Sequence, residues 1–266
     1  LGINVTEIYC DIDPDFPNHH PDPTVDANLS DIISKIKLSS YDLGVAFDGD
    51  ADRIVALDEK GSIIRSDILL ALFIPAIINK GDSIVYDVKC SKALEDMIQK
   101  YKGNPIMYKT GHSLIKNKMI ESKSKLGGEM SGHIFFADRY YGYDDGIYVA
   151  LRLIEMLSKK NKNLSEYVSE VPKYVSTPEI RIDCVNDDEK FILVEKLVVY
   201  FKENFDCNLT DGVRINFKDG WGLIRASNTQ PVLVCRCEAK NEKKLDGIKN
   251  IIFDKIKYFG GNKVEL

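Results

Sequence analysis

The sequence predicts an α/β protein: consecutive α/β domains with mostly parallel, mixed sheets, followed by a small α+β unit at its C-terminal end. Three observations predict it. From Ser66 to Ser158, strand-like and helix-like stretches alternate at the lengths of βαβ units. From about Val175 the order changes to a strand, a long amphipathic helix, a strand meander and a last helix. Before both lies an apolar–acidic–apolar stretch, Leu43 to Leu57 (LGVAFDGDADRIVAL), flanked by strand-like runs. At 266 residues the length prior suggests roughly two domains, and a 44% hydrophobic content supplies a sizeable core.

Taken in order, Val5 to Cys10 reads as a short strand, and the prolines of DIDPDFPNHHPDP then exclude helix. Asp26 to Lys37 has helical spacing of Leu29, Ile32, Ile33 and Ile36. The runs Leu43 to Phe47 and Ile54 to Leu57 are strands, and Glu59-Lys60-Gly61 turns the chain into a hairpin. Helices are expected at 67–78, 92–101, 111–122 and 144–158, with strands at 83–88, 105–108, 125–129 and 133–136. In the last unit the pattern gives a strand at 179–184, a helix at 188–204, strands at 212–217, 222–225 and 232–239, and a helix at 242–258. The expected units are therefore 1–62, 63–174 and 175–266, and Ser158 to Asn163 is a solvated helix end.

Several classes are disfavoured. A net charge of −5 with no basic block argues against nucleic acid as a main partner. No apolar run approaches the roughly 20 residues of a membrane span, so no membrane partner is expected. The six cysteines are scattered; Cys235 and Cys237 share one face of a strand pattern, with no zinc-type spacing nearby. Reduced, packed thiols and a cytoplasmic location are expected. Residue 1 is Leu, which suggests a piece of something longer.

Four polar or glycine-rich stretches interrupt these elements. In the first, Asp48, Asp50 and Asp52 stand at alternate positions beside Arg53. Three carboxylates so close repel one another and call for a hard cation such as Mg²⁺ or Ca²⁺, in preference to a merely solvated acidic turn. Glu59 falls at the twelfth position counted from Asp48, as in an EF-hand, but Arg53 stands where that loop needs Gly and the flanks are strands. The second comprises Lys89 and Thr110-Gly111-His112, beyond the carboxyl ends of two strands, where open α/β sheets bind ligands. Taken alone, these are equally a surface lysine and a helix start. The third is GGEMSGH, Gly127 to His133, where Glu129, Ser131 and His133 alternate; an extended segment would point all three the same way, toward sugar hydroxyls. A polar hairpin turn is the other reading. The fourth, RASNTQP, sets Arg225 beside Ser227, Asn228 and Thr229, donors that suit a phosphate dianion or simply build a turn.

Together a metal loop, a hydroxyl reader and a phosphate cradle point to a phosphorylated sugar. With FPNHHPDP, FDGDADR, YDVKCS, KTGHSLIK, GEMSGHIFF, YDDGIY, STPEI, DGVRI, GWGLIRASNT and PVLVCRCEA in this order, the chain resembles the α-D-phosphohexomutases of the bacterial phosphomannomutase/phosphoglucomutase type. The resemblance implies consecutive phosphohexomutase domains: the end of domain II, domain III and the C-terminal domain IV. A first domain with a TxSHNP-like phosphoserine loop has no counterpart in these residues.

What the resemblance implies is interconversion of hexose 1-phosphate and hexose 6-phosphate through a phosphoserine enzyme and a bisphosphate intermediate. Mg²⁺ would be held by Asp48, Asp50 and Asp52. Arg53 would sit beside the phosphoryl group, and His133 is a candidate proton carrier or hydrogen-bonding group. Glu129 and Ser131 would read hydroxyls shared by glucose and mannose, and Lys89, Gly111 and His112 would contact the sugar phosphate. Arg225, Ser227, Asn228 and Thr229 would clamp the unreacting phosphate. The expected partners are mannose and glucose phosphates, and the expected state is a monomer without turnover on its own. The alternatives are a phosphoglucosamine-type mutase and a non-catalytic sugar-phosphate-binding fragment.

Overall fold

Two four-residue apolar runs, Gly44–Phe47 (β1) and Ile54–Leu57 (β2), pair antiparallel with Phe47 opposite Ile54. Asp48 to Arg53 are therefore what remains to close the hairpin. The structure, a computed structural model, describes residues 2–11, 13–159, 162–184, 186–227 and 230–260. Asp58 makes the next turn: its Oδ1 accepts from the amides of Lys60 (2.9 Å) and Ser62 (2.8 Å), and Ile63–Ile64 (β3) returns antiparallel along β2. A short 3-10 turn, Asp26–Leu29, leads into helix α1 (Ser30–Leu38), whose Ile32 and Ile36 pack over Gly44. The strand expected at Val5 to Cys10 is not formed. That segment pairs with no strand among the described residues and its side chains stay mostly exposed, so β-prone residues lack the ladder that would satisfy their amides.

The second unit follows the expected alternation: α2 (Ser66–Ile77), β4 (Ser83–Asp87), α3 (Lys92–Lys100), β5 (Asn104–Tyr108), α4 (His112–Ser122), β6 (Leu126–Gly128), β7 (Ile134–Phe136), α5 (Gly146–Lys159) and α6 (Leu164–Ser169). Its sheet runs in the order β5-β4-β6-β7; β5 and β6 flank β4 in parallel, and β7 turns back antiparallel on β6. Helix α2 is apolar on every side because it lies between two sheets: Leu69, Leu70, Phe73 and Ile74 share one core with Ile54, Ile84, Phe136 and Leu153. The first two sheets are thus joined through a common interior.

In the last unit, β10 (Asp206–Asn208), β11 (Val213–Phe217), β12 (Gly220–Ala226) and β13 (Val232–Ala239) form an antiparallel meander. Strands β8 (Val175–Ser176) and β9 (Ile180–Asp183) pair with opposite ends of β13. Helices α7 (Asp187–Asn204) and α8 (Glu242–Gly260) cover one face through Leu197, Phe201, Ile248 and Ile252, where Cys235 and Cys237 are buried as free thiols. The opposite face carries Trp221 and Leu223, which pack against Val88 and Met107 of the second unit. Among the described residues no helix is long and apolar enough to cross a membrane.

Candidate functional site

The Asp loop is tied from three sides. Arg53 donates from its backbone to Asp48 Oδ1 (3.0 Å) and from Nε to Asp48 Oδ2 (2.6 Å). Its Nη1 lies 3.4 Å from Asp22 Oδ1, which brings the proline-rich segment onto the loop. Ala51 adopts a left-handed φ of 60°, and its carbonyl accepts from Gly146 at the start of α5 (2.9 Å). Carboxylate oxygens of Asp48, Asp50 and Asp52 lie within 4.8 Å of one another. Burial favours the neutral acid at Asp48, but its hydrogen bonds with Arg53 hold it below the usual carboxylate range. Asp52 is pushed up by burial and by Asp48 and Asp50, against the pull of His133. The loop thus carries more negative charge than Arg53 neutralises, and an all-oxygen cluster of this span suits a hard divalent cation. A second trio, Asp52, His133 and Asp144, is as close, but Asp144 is already engaged by Lys116 and His112. The three aspartates are the better fit.

The stretch Glu129 to His133 is not extended, as the reading of alternating side chains assumed. It is a tight turn closing β6 on β7, with Glu129 N–H donating to His133 O (2.9 Å) and Gly132 N–H to Glu129 O (3.2 Å). The turn is pressed onto the Asp loop: Ile54 N–H donates to Gly132 O (3.2 Å), and Arg53 pairs with His133 in an isolated antiparallel bridge. Gly132 has φ 117°, and a Cβ there would lie 3.0 Å from Arg53 Cβ. Only glycine permits that approach.

His133 stacks on His112, with ring centroids 5.2 Å apart. Its Nδ1 sits 3.0 Å from Asp144 Oδ2 and 3.6 Å from Asp52 Oδ1. Burial disfavours its cation, yet Asp144, Asp52 and Glu129 outweigh burial and raise its pKa. Asp144, also 2.9 Å from Lys116 Nζ, is held well below the usual range by His133 and Lys116 although burial opposes it. Glu129 is only 2% exposed. Burial and the nearby Asp87 push its carboxyl up to about 7, against the Gly111 N–H that donates to it at 2.5 Å.

Lys89 is no surface lysine: it is 9% exposed, 3.3 Å from Glu179 Oε2 and 4.0 Å from Asp87 Oδ2. Burial would lower its pKa, but Asp87, Glu179 and Glu129 raise it. Asp87, fully buried at the carboxyl end of β4, accepts from Met130 N–H (3.2 Å) and the Thr110 hydroxyl (3.1 Å), binding the Lys89 turn, the Gly111 turn and the Glu129 turn together.

Arg225, on β12, is 5% exposed and donates from Nε to Asp211 Oδ2 (2.9 Å). The same oxygen accepts Thr110 N–H at 3.1 Å. Arg225 Nη2 is buried without a hydrogen-bond partner among the described residues. Ser227 is buried beside it, its Oγ accepting from Gln230 N–H at 3.3 Å. Asn228 and Thr229 lie outside the described residues.

A single line of contacts therefore joins all four stretches. It runs from the Asp loop through the Arg53–His133 bridge to Glu129, then through Gly111 and Thr110 to Asp211 and Arg225. Ser131 lies in the turn between Glu129 and His133, half-buried. Asp22, Asp87, Asp144, Glu179 and Asp211 belong to the site without having been singled out in the sequence. Their signal lay only in the motifs that carry the resemblance: Asp22 in FPNHHPDP, Asp87 in YDVKCS, Asp144 in YDDGIY, Glu179 in STPEI and Asp211 in DGVRI.

Descriptions of the phosphoglucomutase/phosphomannomutase domains match the chain in three consecutive pieces. Residues 1–61 match α/β/α domain II, residues 65–174 match α/β/α domain III and residues 179–255 match the C-terminal domain. The phosphomannomutase/phosphoglucomutase of Pseudomonas aeruginosa is 48% identical over 261 residues, 97% of this chain and 56% of that protein. The phosphoglucomutase of Neisseria gonorrhoeae is 42% identical over 254 residues, 94% of this chain and 55% of that one. The crystal structure of a phosphoglucomutase/phosphomannomutase family protein from Burkholderia thailandensis superposes with a TM-score of 0.91 at 40% identity, covering 98% of this chain and 56% of that one. The fold and site thus define an α/β chain of the phosphohexomutase class. The chain belongs to the phosphoglucomutase/phosphomannomutase family, and it spans about half the length of the relatives it matches.

Proposed function

We propose that this chain supplies the metal-, sugar- and phosphate-binding parts of a phosphomannomutase/phosphoglucomutase, with the units 1–62, 63–174 and 175–266 corresponding to domains II, III and IV. The observation that carries the reading is Arg225, whose buried Nη2 has no protein partner among the described residues while its Nε is anchored on Asp211. A desolvated, oriented guanidinium with an unused N–H is suited to a phosphate oxygen. The substrates are hexose 1- and 6-phosphates, and the phosphoserine comes from a segment outside these residues.

Asp48, Asp50 and Asp52 would hold Mg²⁺, which supplies neutralisation of phosphoryl charge when bound. Arg53, fixed by Asp48, presents its remaining guanidinium N–H groups beside the transferring group. Glu129 accepts a sugar hydroxyl when ionised, and Ser131 lies two residues further along the same turn. His133, steered by Asp144, holds a proton near the reacting hydroxyl. Lys89, Gly111 and His112 face the sugar phosphate, while Arg225, Ser227, Asn228 and Thr229 retain the phosphate that is not reacting.

Calorimetry of glucose 1-phosphate with this chain, with and without Arg225→Ala, tests the clamp, and a coupled mutase assay of Asp50→Asn alongside the serine-bearing portion tests the metal loop. Weak binding lost on Arg225→Ala and turnover abolished by Asp50→Asn are expected. Equal binding by the Arg225→Ala chain would remove the reading.

A further inference from the structure

The turn that carries Lys89 is held less by its own unit than by the C-terminal sheet. Arg214 on β11, 3% exposed, donates through Nη1 to the carbonyls of Val88 and Cys90, the latter at 2.9 Å. Arg236 on β13, 4% exposed, donates through Nη1 to the carbonyl between them, that of Lys89, and to the Met130 sulfur in the Glu129 turn. Its Nη2 reaches Ser176 Oγ on β8 at 3.4 Å. Glu238, two residues further on β13, accepts the Lys92 N–H (2.8 Å) and the Trp221 indole N–H (2.7 Å). Asp67 closes the set, accepting from Ser91 N–H at 2.8 Å and lying 3.6 Å from Arg236 Nη1. Three consecutive carbonyls and two of the next amides are thus committed to charged, buried side chains.

A sheet that needed only to dock could do so through Trp221 and Leu223 against Val88 and Met107. Burying two guanidinium groups in addition is costly unless each is fully used. Their Nη1 groups are used on the backbone of residues 88–90 and on the flank of Glu129, both in the other unit, while Arg236 Nε is buried without a partner among the described residues. The same strands that carry Arg214 and Arg236 flank β12, which carries Arg225.

We propose that Arg236, seconded by Arg214, is a positioning residue for the sugar-phosphate site. Docking of the C-terminal sheet sets the Lys89 ammonium and the Glu129 turn, so that affinity in the second unit depends on buried cations of the third. The proposal rests on the reading of Lys89 as a substrate contact.

A double-mutant cycle tests it, using glucose 1-phosphate affinity by calorimetry and amide hydrogen exchange at residues 89–92. Arg236→Met is expected to weaken binding about tenfold, Lys89→Met by a similar factor, and the double variant by little more than either, the signature of coupled residues. Arg236→Lys recovers part of the loss. Exchange at 89–92 rises in Arg236→Met without ligand, and Arg214→Met gives the same two results should Arg236→Met fail to fold. Losses that simply multiply, or protected 89–92 amides in both Met variants, would overturn the coupling. If Lys89→Met leaves affinity unchanged while those amides still loosen, the substrate-contact reading is what fails, and the coupling to affinity falls with it.

Discussion

Replacing Glu129 with Gln keeps the shape of the side chain and an oxygen for the Gly111 N–H, and removes the titration together with the charge it sets beside Lys89 and His133. In the folded protein this carboxyl ionises near 7, against an ordinary value of 4.5, because burial and Asp87 disfavour its anion. Between those two pH values the unfolded chain has released the proton and the folded chain still holds it. Stability therefore falls as pH rises through that window and is level on either side of it. At about 1.4 kcal/mol per pH unit, the rise corresponds to about 3 kcal/mol lost by the native protein and kept by the Gln variant. Urea unfolding followed by circular dichroism, from below pH 4.5 to above pH 7, should show the two proteins diverging across the window. Parallel profiles would refute the argument. The same substitution should weaken glucose 1-phosphate binding above neutral pH, where the native side chain is the stronger acceptor.

Two further outcomes are expected. Gly146→Ala places a Cβ 2.8 Å from Arg53 O and 2.9 Å from Ala51 O, both backbone atoms of the Asp loop. It should lower stability by about 2 kcal/mol in thermal unfolding and weaken Mg²⁺ binding by calorimetry, and an unchanged Mg²⁺ affinity would separate the loop's packing from its chemistry. Ile252→Ala, at a fully buried position over Gly222, should cost about 2–5 kcal/mol in denaturant unfolding of the C-terminal unit; a cost below 1 kcal/mol would mean that α8 contributes little to that core.

Much of this architecture was legible because its signals are local. The alternation from Ser66 to Ser158 is written in apolar periodicity, and helices α2, α3 and α4 fall within a residue or two of the expected bounds. The two-residue strand β8 and the three-residue strand β10 went unseen, since such short runs have no period and exist only through their partners β13 and β11. The opposite error, a strand at Val5 to Cys10, has the same cause: propensity without a neighbour. At the site, the Asp loop stood out because like charges at alternate positions need a reason. Asp144 and Asp211 stood only as members of the motifs YDDGIY and DGVRI, because an acid there carries no mark of which groups lie across the fold. The link between Glu129 and Gly111 spans 18 residues and that between Thr110 and Asp211 spans 101, beyond any local pattern.

Trp221 is the one tryptophan in the chain. It lies 2% exposed at the seam between the second and third units, with the Arg214 guanidinium 3.6 Å above its ring and its N–H on Glu238. Indole emission responds to the polarity and charge of its surroundings; Arg214 and Glu238 belong to the same sheet as Trp221, but its apolar cover of Val88 and Met107 exists only while that sheet is seated. The protein therefore carries its own optical gauge of that seating, readable without a label. Ligand-driven opening or tightening of the seam becomes a fluorescence titration on the native chain.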